Sequence, residues 1–305
     1  MWIEEVKILL DNCNSWTVKT LDDIAIEFSS PAYIIALASL VNQGIIAWKW
    51  DINCTEDIKS YLERCNFFKC IWETANEHFF TGHSNNLTEI NIINNDPNWA
   101  VLSEMVQKMI ITTKKLDKTD ESNRYLSLLE NTLLTMIIEI VSNVITHSEA
   151  DLQQKWCMFM MQYYPYTNRL HFAVVDSWIW IEKTMKRAHY KPWEWWTYYM
   201  SLALQQHHTW NADLWAWNWL FVCSEIVEKT GSTMEILSHW NYYQKIWQKI
   251  IYDYNSSEFS WTLVNVEFNM NAINNDISRL DDMLQKINTT SNDITDMSYY
   301  NNLRD

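Results

Sequence analysis

Glycine is almost absent from this chain, with 3 residues in 305, where an average protein carries about 7%. Wherever the backbone must turn through positive φ or lie against a ligand, the residue that usually does so is missing. Basic residues are scarce as well, 23 against 38 acidic ones, for a formal net charge of -15. That balance argues against nonspecific binding to nucleic acid or to an anionic membrane. Neither is therefore expected as a partner. A nucleotide stays open, because it needs only local positive potential and a metal. No apolar run reaches the ~18 residues of a membrane span. Met1–Leu10 carries acidic residues and no basic stretch, so no signal peptide is expected. The six cysteines, Cys13, Cys54, Cys65, Cys70, Cys157 and Cys223, include no CxxC pair, and the histidines show no zinc spacing. Buried thiols in a reducing, cytoplasmic setting are the expectation.

The length suggests two domains at ~150 residues each. Residues 1–95 read as a first unit. Ile24–Phe28 alternates like a strand, Ser29-Ser30-Pro31 opens a helix over Ala32–Asn42, and Gly44 ends it. Ile45–Ile52 reads as a second strand, and Thr55 caps a second helix through Arg64. The βαβα order predicts a small sheet with helices on one side. Phe79–Pro97 is polar and Asn-rich and reads as a linker or loops. A helix over Trp99–Leu116 follows, then the long stretch that organises the chain.

That stretch runs from Leu133 to Trp180. Glu139, Asn143 and His147 recur at i, i+4 and i+8, on one helical face, beside an apolar face of Leu133, Ile137, Ile140 and Val144. Met158–Tyr164 and Leu170–Val175 read as antiparallel strands joined through Pro165–Asn168, the second ending at Asp176. From spacing alone, a solvent-facing polar stripe and a functional site are equally good readings. Downstream, Leu220–Lys229 reads as a helix, and Thr233–Leu237, Tyr242–Ile246 and Trp261–Phe268 as strands. The aromatic run Tyr190–Tyr199 reads as core packing more than as a stacking platform.

Glu139-Ile-Val-Ser-Asn143-Val-Ile-Thr-His147 resembles the N box of the GHKL ATPases, the superfamily of gyrase, histidine kinases and anti-sigma-factor serine kinases. Asp176-Ser-Trp178-Ile-Trp180-Ile181 resembles the Asp-x-Gly-x-Gly-Ile box, and Leu214-Trp215-Ala-Trp217-Asn-Trp219-Leu220 the Gly-x-Gly-x-Gly-Leu box. Trp261-Thr262 opens a segment similar to the closing Gly-Thr strand. The first unit resembles, more weakly, a STAS-like domain through Glu27-Phe-Ser-Ser-Pro31 and Tyr61–Phe68. In that family a serine near the first helix can be phosphorylated; here Ser29 and Ser30 also read as caps.

The resemblance implies an α+β fold: a GHKL two-layer sandwich of helices on a mixed sheet over 96–270, a small STAS-like βα domain over 1–95, and a tail over 271–305. It implies Mg-ATP binding with slow hydrolysis or phosphotransfer to a protein, in an ATPase or a protein serine kinase. Asn143 is the expected Mg²⁺ ligand and Glu139 the group that orients or deprotonates the attacking water or acceptor hydroxyl. Asp176 is expected to accept from the adenine amino group, with Thr262 supporting it. His147 would lie near ribose or phosphates, or play a structural part. Trp178, Trp180, Ile181, Trp215, Trp217, Trp219 and Leu220 would line the nucleotide loops. A protein partner is expected. The alternative is a non-catalytic interaction module with a closed nucleotide site.

Every box glycine is here a tryptophan. The chain has 19 tryptophans, and with its glycines they make up about the share that glycine alone takes elsewhere. Trp210 and Trp240 also sit in turn-like contexts. A gene whose code reads UGA as glycine, translated with UGA as tryptophan, gives this pattern. A real protein with replaced glycines is the other reading, and its site should be damaged. In the tail, Ile273, Ile277, Leu280, Leu284 and Ile287 form a seam of about two heptads, too short for a strong coiled coil and suited to docking or a weak homodimer.

Overall fold

The computed structural model describes residues 2–15, 19–24, 26, 30–47, 54–72, 87–93, 103–104, 106–109, 133–134, 157–176, 181, 185–186, 196–205, 219–246 and 248–271. Their order is α1 (Trp2–Asn14), α2 (Pro31–Asn42), α3 (Glu56–Arg64), α4 (Phe67–Trp72), β1 (Asn91–Ile93), β2 (Cys157–Tyr164), β3 (Arg169–Asp176), α5 (Trp196–Ala203), α6 (Trp219–Thr230), β4 (Thr233–Ile246) and β5 (Lys249–Asn269). The chain is mixed α+β, as expected.

The sheet runs β1-β2-β3-β5-β4. Each pairing between these strands is antiparallel, where a mixed sheet was expected. For two of the four pairings the reason is local: β2–β3 and β4–β5 are hairpins, and hairpin neighbours can only be antiparallel. The β2–β3 loop is Pro165–Asn168, with Asn168 in the left-handed region at φ 50, a conformation asparagine tolerates.

β4 doubles back on itself. Glu235 accepts hydrogen bonds from the Tyr242 hydroxyl at 2.9 Å and the Gln244 amide at 3.2 Å. In a straight strand rising ~3.3 Å per residue, Glu235 and Gln244 would lie about 30 Å apart. The reversal falls at Ser238–Asn241, where the register with β5 jumps from Ser238↔Thr262 to Asn241↔Tyr254 and His239 takes φ 55. This is the Ser-His-Trp-Asn stretch that reads as a turn. β5 wraps around the reversal, so the sheet counts seven antiparallel segments.

Helices cover both faces. Phe159, Phe172, Val264 and Ile236 point to one face, against Cys223, Ile226 and Val227 of α6 and Tyr199 of α5, with Val106, Met109 and Leu133 in the same core. Met158, Met160, Ala173, Val175 and Leu263 point to the other, against α2 and Val6 and Leu9 of α1. Tyr199 is thus core, as read from the sequence.

α2 forms as its sequence dictates. The Ser30 hydroxyl accepts from the Tyr33 N–H at 3.2 Å, Pro31 takes the first turn, and Gly44 follows at φ 71. Ten of its residues, Pro31, Ala32 and Ile34–Val41, are buried. A helix apolar all round must lie between other layers, and α2 lies between the sheet and α1 and α4. Each fully buried Ile or Leu in it contributes roughly 1.5–3 kcal/mol.

The two N-terminal strands appear, among the described residues, only as isolated parallel bridges, Thr20↔Ala47 and Ile26↔Cys54. Conversely, the Asn-rich stretch holds a strand. β1 pairs with β2, and Thr88 makes three hydrogen bonds with the Met161 backbone, at 2.9, 2.8 and 3.3 Å. No described helix is long and apolar enough to cross a membrane. All six cysteines are free, four of them buried.

Candidate functional site

Three adjacent strands put one polar residue each on a single row. Asp176 ends β3, Thr262 faces it on β5, and Ser238 faces Thr262 on β4. By the alternation of each strand, all three lie on the α6 face: Val174, Val264 and Ile236, two residues along, belong to that core. The row sits where the β4 reversal begins and where β3 stops. The apolar run of β3 thus brings a carboxylate to the end of a buried strand.

Asp176 is 4% exposed and Thr262 2%. The Thr262 backbone N–H donates to Asp176 Oδ1 at 3.2 Å. The Thr262 and Ser238 hydroxyls are 3.1 Å apart and hydrogen-bonded. The Ile181 N–H donates to Ser238 Oγ at 3.2 Å. A buried chain thus runs from Ile181 through Ser238 and Thr262 to the Asp176 carboxylate. Charge-assisted bonds of this kind fix where a carboxylate points.

Two neighbours are chemically quiet. Cys157 stands opposite Asp176 on β2. Burial, and then the Asp176 charge, push its thiol well above the ordinary range, so it is no nucleophile at neutral pH. His239 follows Ser238, and burial pushes its imidazole down to about 4, leaving it neutral.

Asp176, Ile181 and Thr262, named from the sequence, come together here. Leu220 lies in the first turn of α6 and is buried in the same core; Trp219 opens that helix. Glu139, Asn143, His147, Trp178, Trp180, Trp215 and Trp217 lie outside the described residues, as do Ser29 and the tail seam from Ile273 to Ile287. Among the described residues, no group of three or more His, Cys, Asp and Glu could hold a metal ion.

Sequence reasoning missed Ser238. It ends a strand-like run, Ile236-Leu237-Ser238, and only its register with Thr262 gives it a role. It also missed the buried Lys245, whose ammonium donates to Ser224 Oγ and Glu228 Oε2, both at 2.8 Å, tying α6 to the returning limb of β4. No family model, curated protein or solved structure matches this chain.

Proposed function

We propose that the chain is a Mg-ATP-binding regulatory protein of the GHKL type, with slow hydrolysis or phosphotransfer to a protein. The observation that carries the reading is the buried Asp176 carboxylate, held by the Thr262 N–H and backed by Ser238. This buried acceptor suits the amino edge of a purine. A carboxylate accepts from an exocyclic amine and repels phosphate, so phosphates belong on the far side of the site.

In this reading Asp176 accepts from the adenine amino group, and Thr262 keeps the carboxylate aimed. Asn143 offers a neutral amide oxygen, which suits Mg²⁺, a cation that takes few protein ligands and keeps its waters. Mg²⁺, when bound, neutralises phosphate charge. Glu139, four residues before Asn143, orients the attacking water or hydroxyl. The stretch that resembles the Gly-x-Gly-x-Gly-Leu box would meet the phosphates through backbone N–H groups at the N-terminus of α6. A regulatory role, with a protein partner and phosphate acceptor, follows from pairing a STAS-like unit with an anti-sigma-kinase-like ATPase, by analogy.

The tryptophans favour a second reading, a non-catalytic interaction module. If the boxes bind nucleotide as the resemblance implies, an indole at 178, 180, 215, 217 or 219 would take space that backbone and phosphate need to share. Overpacking costs about 1–3 kcal/mol per site. Paired Mg-ATP titrations with thermal melts separate the two. The chain with glycine at those five positions binds and melts higher with Mg-ATP; the chain as written binds poorly. In the glycine version Glu139→Ala keeps binding and loses turnover. If neither version binds, the ATPase reading fails.

A further inference from the structure

The outermost segment of the sheet is the first limb of β5. Lys249–Tyr254 pairs inward with Ile246–Asn241 of β4, and among the described residues no strand pairs with its other side. Of the six large hydrophobics exposed among the described residues, three sit on this hairpin: Ile246 at 41%, Ile250 at 47% and Tyr252 at 38%. Lys249-Ile250-Ile251-Tyr252-Asp253 holds no proline, is rich in β-formers and carries one charge of each sign. Natural edges are usually blunted by proline, charge or a covering element. This one is neutral in a chain of formal charge -15, so it is a place where two copies meet without charge of their own to repel.

We propose that the chain self-associates through this edge, Lys249–Asp253 pairing antiparallel with the same residues of a second copy about a two-fold axis at Ile251. The backbone sets the parity. Ile246↔Lys249 closes a two-residue hairpin connection, and such a closing pair exchanges both hydrogen bonds. Lys249, Ile251 and Asp253 therefore turn their backbone groups toward β4, and Ile250 and Tyr252 turn theirs to the free edge. Outward residues can bond only to outward residues, which leaves two-fold registers centred on single residues.

Charge then picks one register. Centred on Ile250, Lys249 faces Ile251 of the other copy. Centred on Tyr252, Asp253 faces Ile251. Centred on Ile251, Lys249 faces Asp253 twice, Ile250 faces Tyr252 twice, and Ile251 faces itself. Opposite-charge and aromatic–β-branched pairs are the favourable cross-strand neighbours, and this register makes every pair of that kind or apolar. An isologous contact of this sort closes at a dimer. Asp253 already lies 3.6 Å from Lys7 of α1. Lys249 and Asp253 share one sheet face by alternation, so Lys249 of the second copy joins this ion pair, while the outward backbone groups of Ile250 and Tyr252 receive the second strand.

The test is the mass of the full chain over a wide concentration range, by sedimentation, with melts as fold controls. The parent should shift from 36.6 kDa towards a dimer. Lys249→Asp and Asp253→Lys each set like charges opposite one another twice, and should weaken association about tenfold. An equimolar mixture of the two variants restores complementary pairs and should recover the parent's mass. Ile251→Cys should cross-link to its own counterpart under mild oxidation, since facing residues of a non-hydrogen-bonded pair lie within disulfide reach. A parent that stays monomeric overturns the proposal. So do single variants that associate like the parent, which would point to the tail seam or another surface. Single variants that weaken association without rescue on mixing reject the register, and with it the proposal.

Discussion

Asp176→Asn separates the structural work of this residue from its proposed work on ligand. In the folded chain Asp176 Oδ1 accepts from the Thr262 N–H at 3.2 Å, inside a region where Asp176 is 4% exposed. An amide keeps an oxygen for that bond, so stability should change by less than about 1 kcal/mol. Asp176→Ala removes the acceptor and leaves a buried N–H, which costs about 1–3 kcal/mol. Towards a purine the two variants should look alike. The asparagine turns an acceptor into a donor facing the adenine amino group. Losing a charge-assisted bond costs about 1.5–3 kcal/mol, or roughly 10- to 150-fold in affinity. The assay is calorimetric titration of the glycine-restored chain with Mg-ATP and Mg-ITP, which lacks the amino group, together with urea melts. The parent should prefer ATP, and Asp176→Asn should abolish the preference while melting like the parent. If Asp176→Asn binds ATP as tightly as the parent does, Asp176 does not read the base.

Two further outcomes follow from buried groups. His239 has a folded pKa lowered from 6.5 to about 4 by burial, so its contribution to stability is present above 6.5 and is lost as pH falls through that window. Melts of the parent should fall more steeply from neutral to acid pH than those of His239→Asn, which also relieves the φ 55 backbone; parallel pH profiles would refute this. Lys245 is 3% exposed and pairs with Ser224 and with Glu228, whose side chain is 28% exposed. Lys245→Ala should cost about 3 kcal/mol in urea unfolding, the lower end for breaking a buried pair because Glu228 keeps some water, and a cost under about 1 kcal/mol would show that the pair does not hold α6 to β4.

The readable parts of the fold were those whose signal is local. Ser30-Pro31 and Gly44 bound α2, Thr55 caps α3 with its hydroxyl accepting from the Ile58 N–H, and Pro165–Asn168 closes the β2–β3 hairpin. What escaped was long-range. β1 hides among asparagines, and its one polar residue, Asn91, is 3% exposed, its amide N–H donating to the Glu89 carbonyl at 2.6 Å. α2 was legible only in part: Pro31–Val41 has Tyr33 and Ser39 as its polar residues, which marks a helix buried on more than one side, while the layers that bury it, the sheet and α1 and α4, come from distant parts of the chain. In the site, Asp176 and Thr262 were legible through motif resemblance, whereas Ser238 needed the strand register. No sequence period announces that register, because β4 reverses after it.

The tryptophans do not form one physical class, and Trp261 shows why. The two described glycines, Gly44 and Gly231, both sit at positive φ, 71 and 61, where only glycine is free of strain. Trp261 is in extended strand, 4% exposed, in the core beneath α1 and α2. There an indole fills the core and the backbone asks for nothing special. Trp261→Gly should therefore destabilise, by about 3–5 kcal/mol for the lost side chain and a further ~0.5–1 kcal/mol for glycine in a strand. Glycine at 178, 180, 215, 217 and 219 should instead raise ATP affinity. The sign contrast is the test of miscoding against replacement. If Trp261→Gly melts at or above the parent temperature, the cavity under α1 closes at no cost, and glycine is the better residue even there. If it melts far below, while glycine at 178, 180, 215, 217 and 219 restores binding, tryptophan is native at 261 and foreign at those five positions. Peptide mass spectra of the protein from its own source would then have to show both residues, each at its own positions.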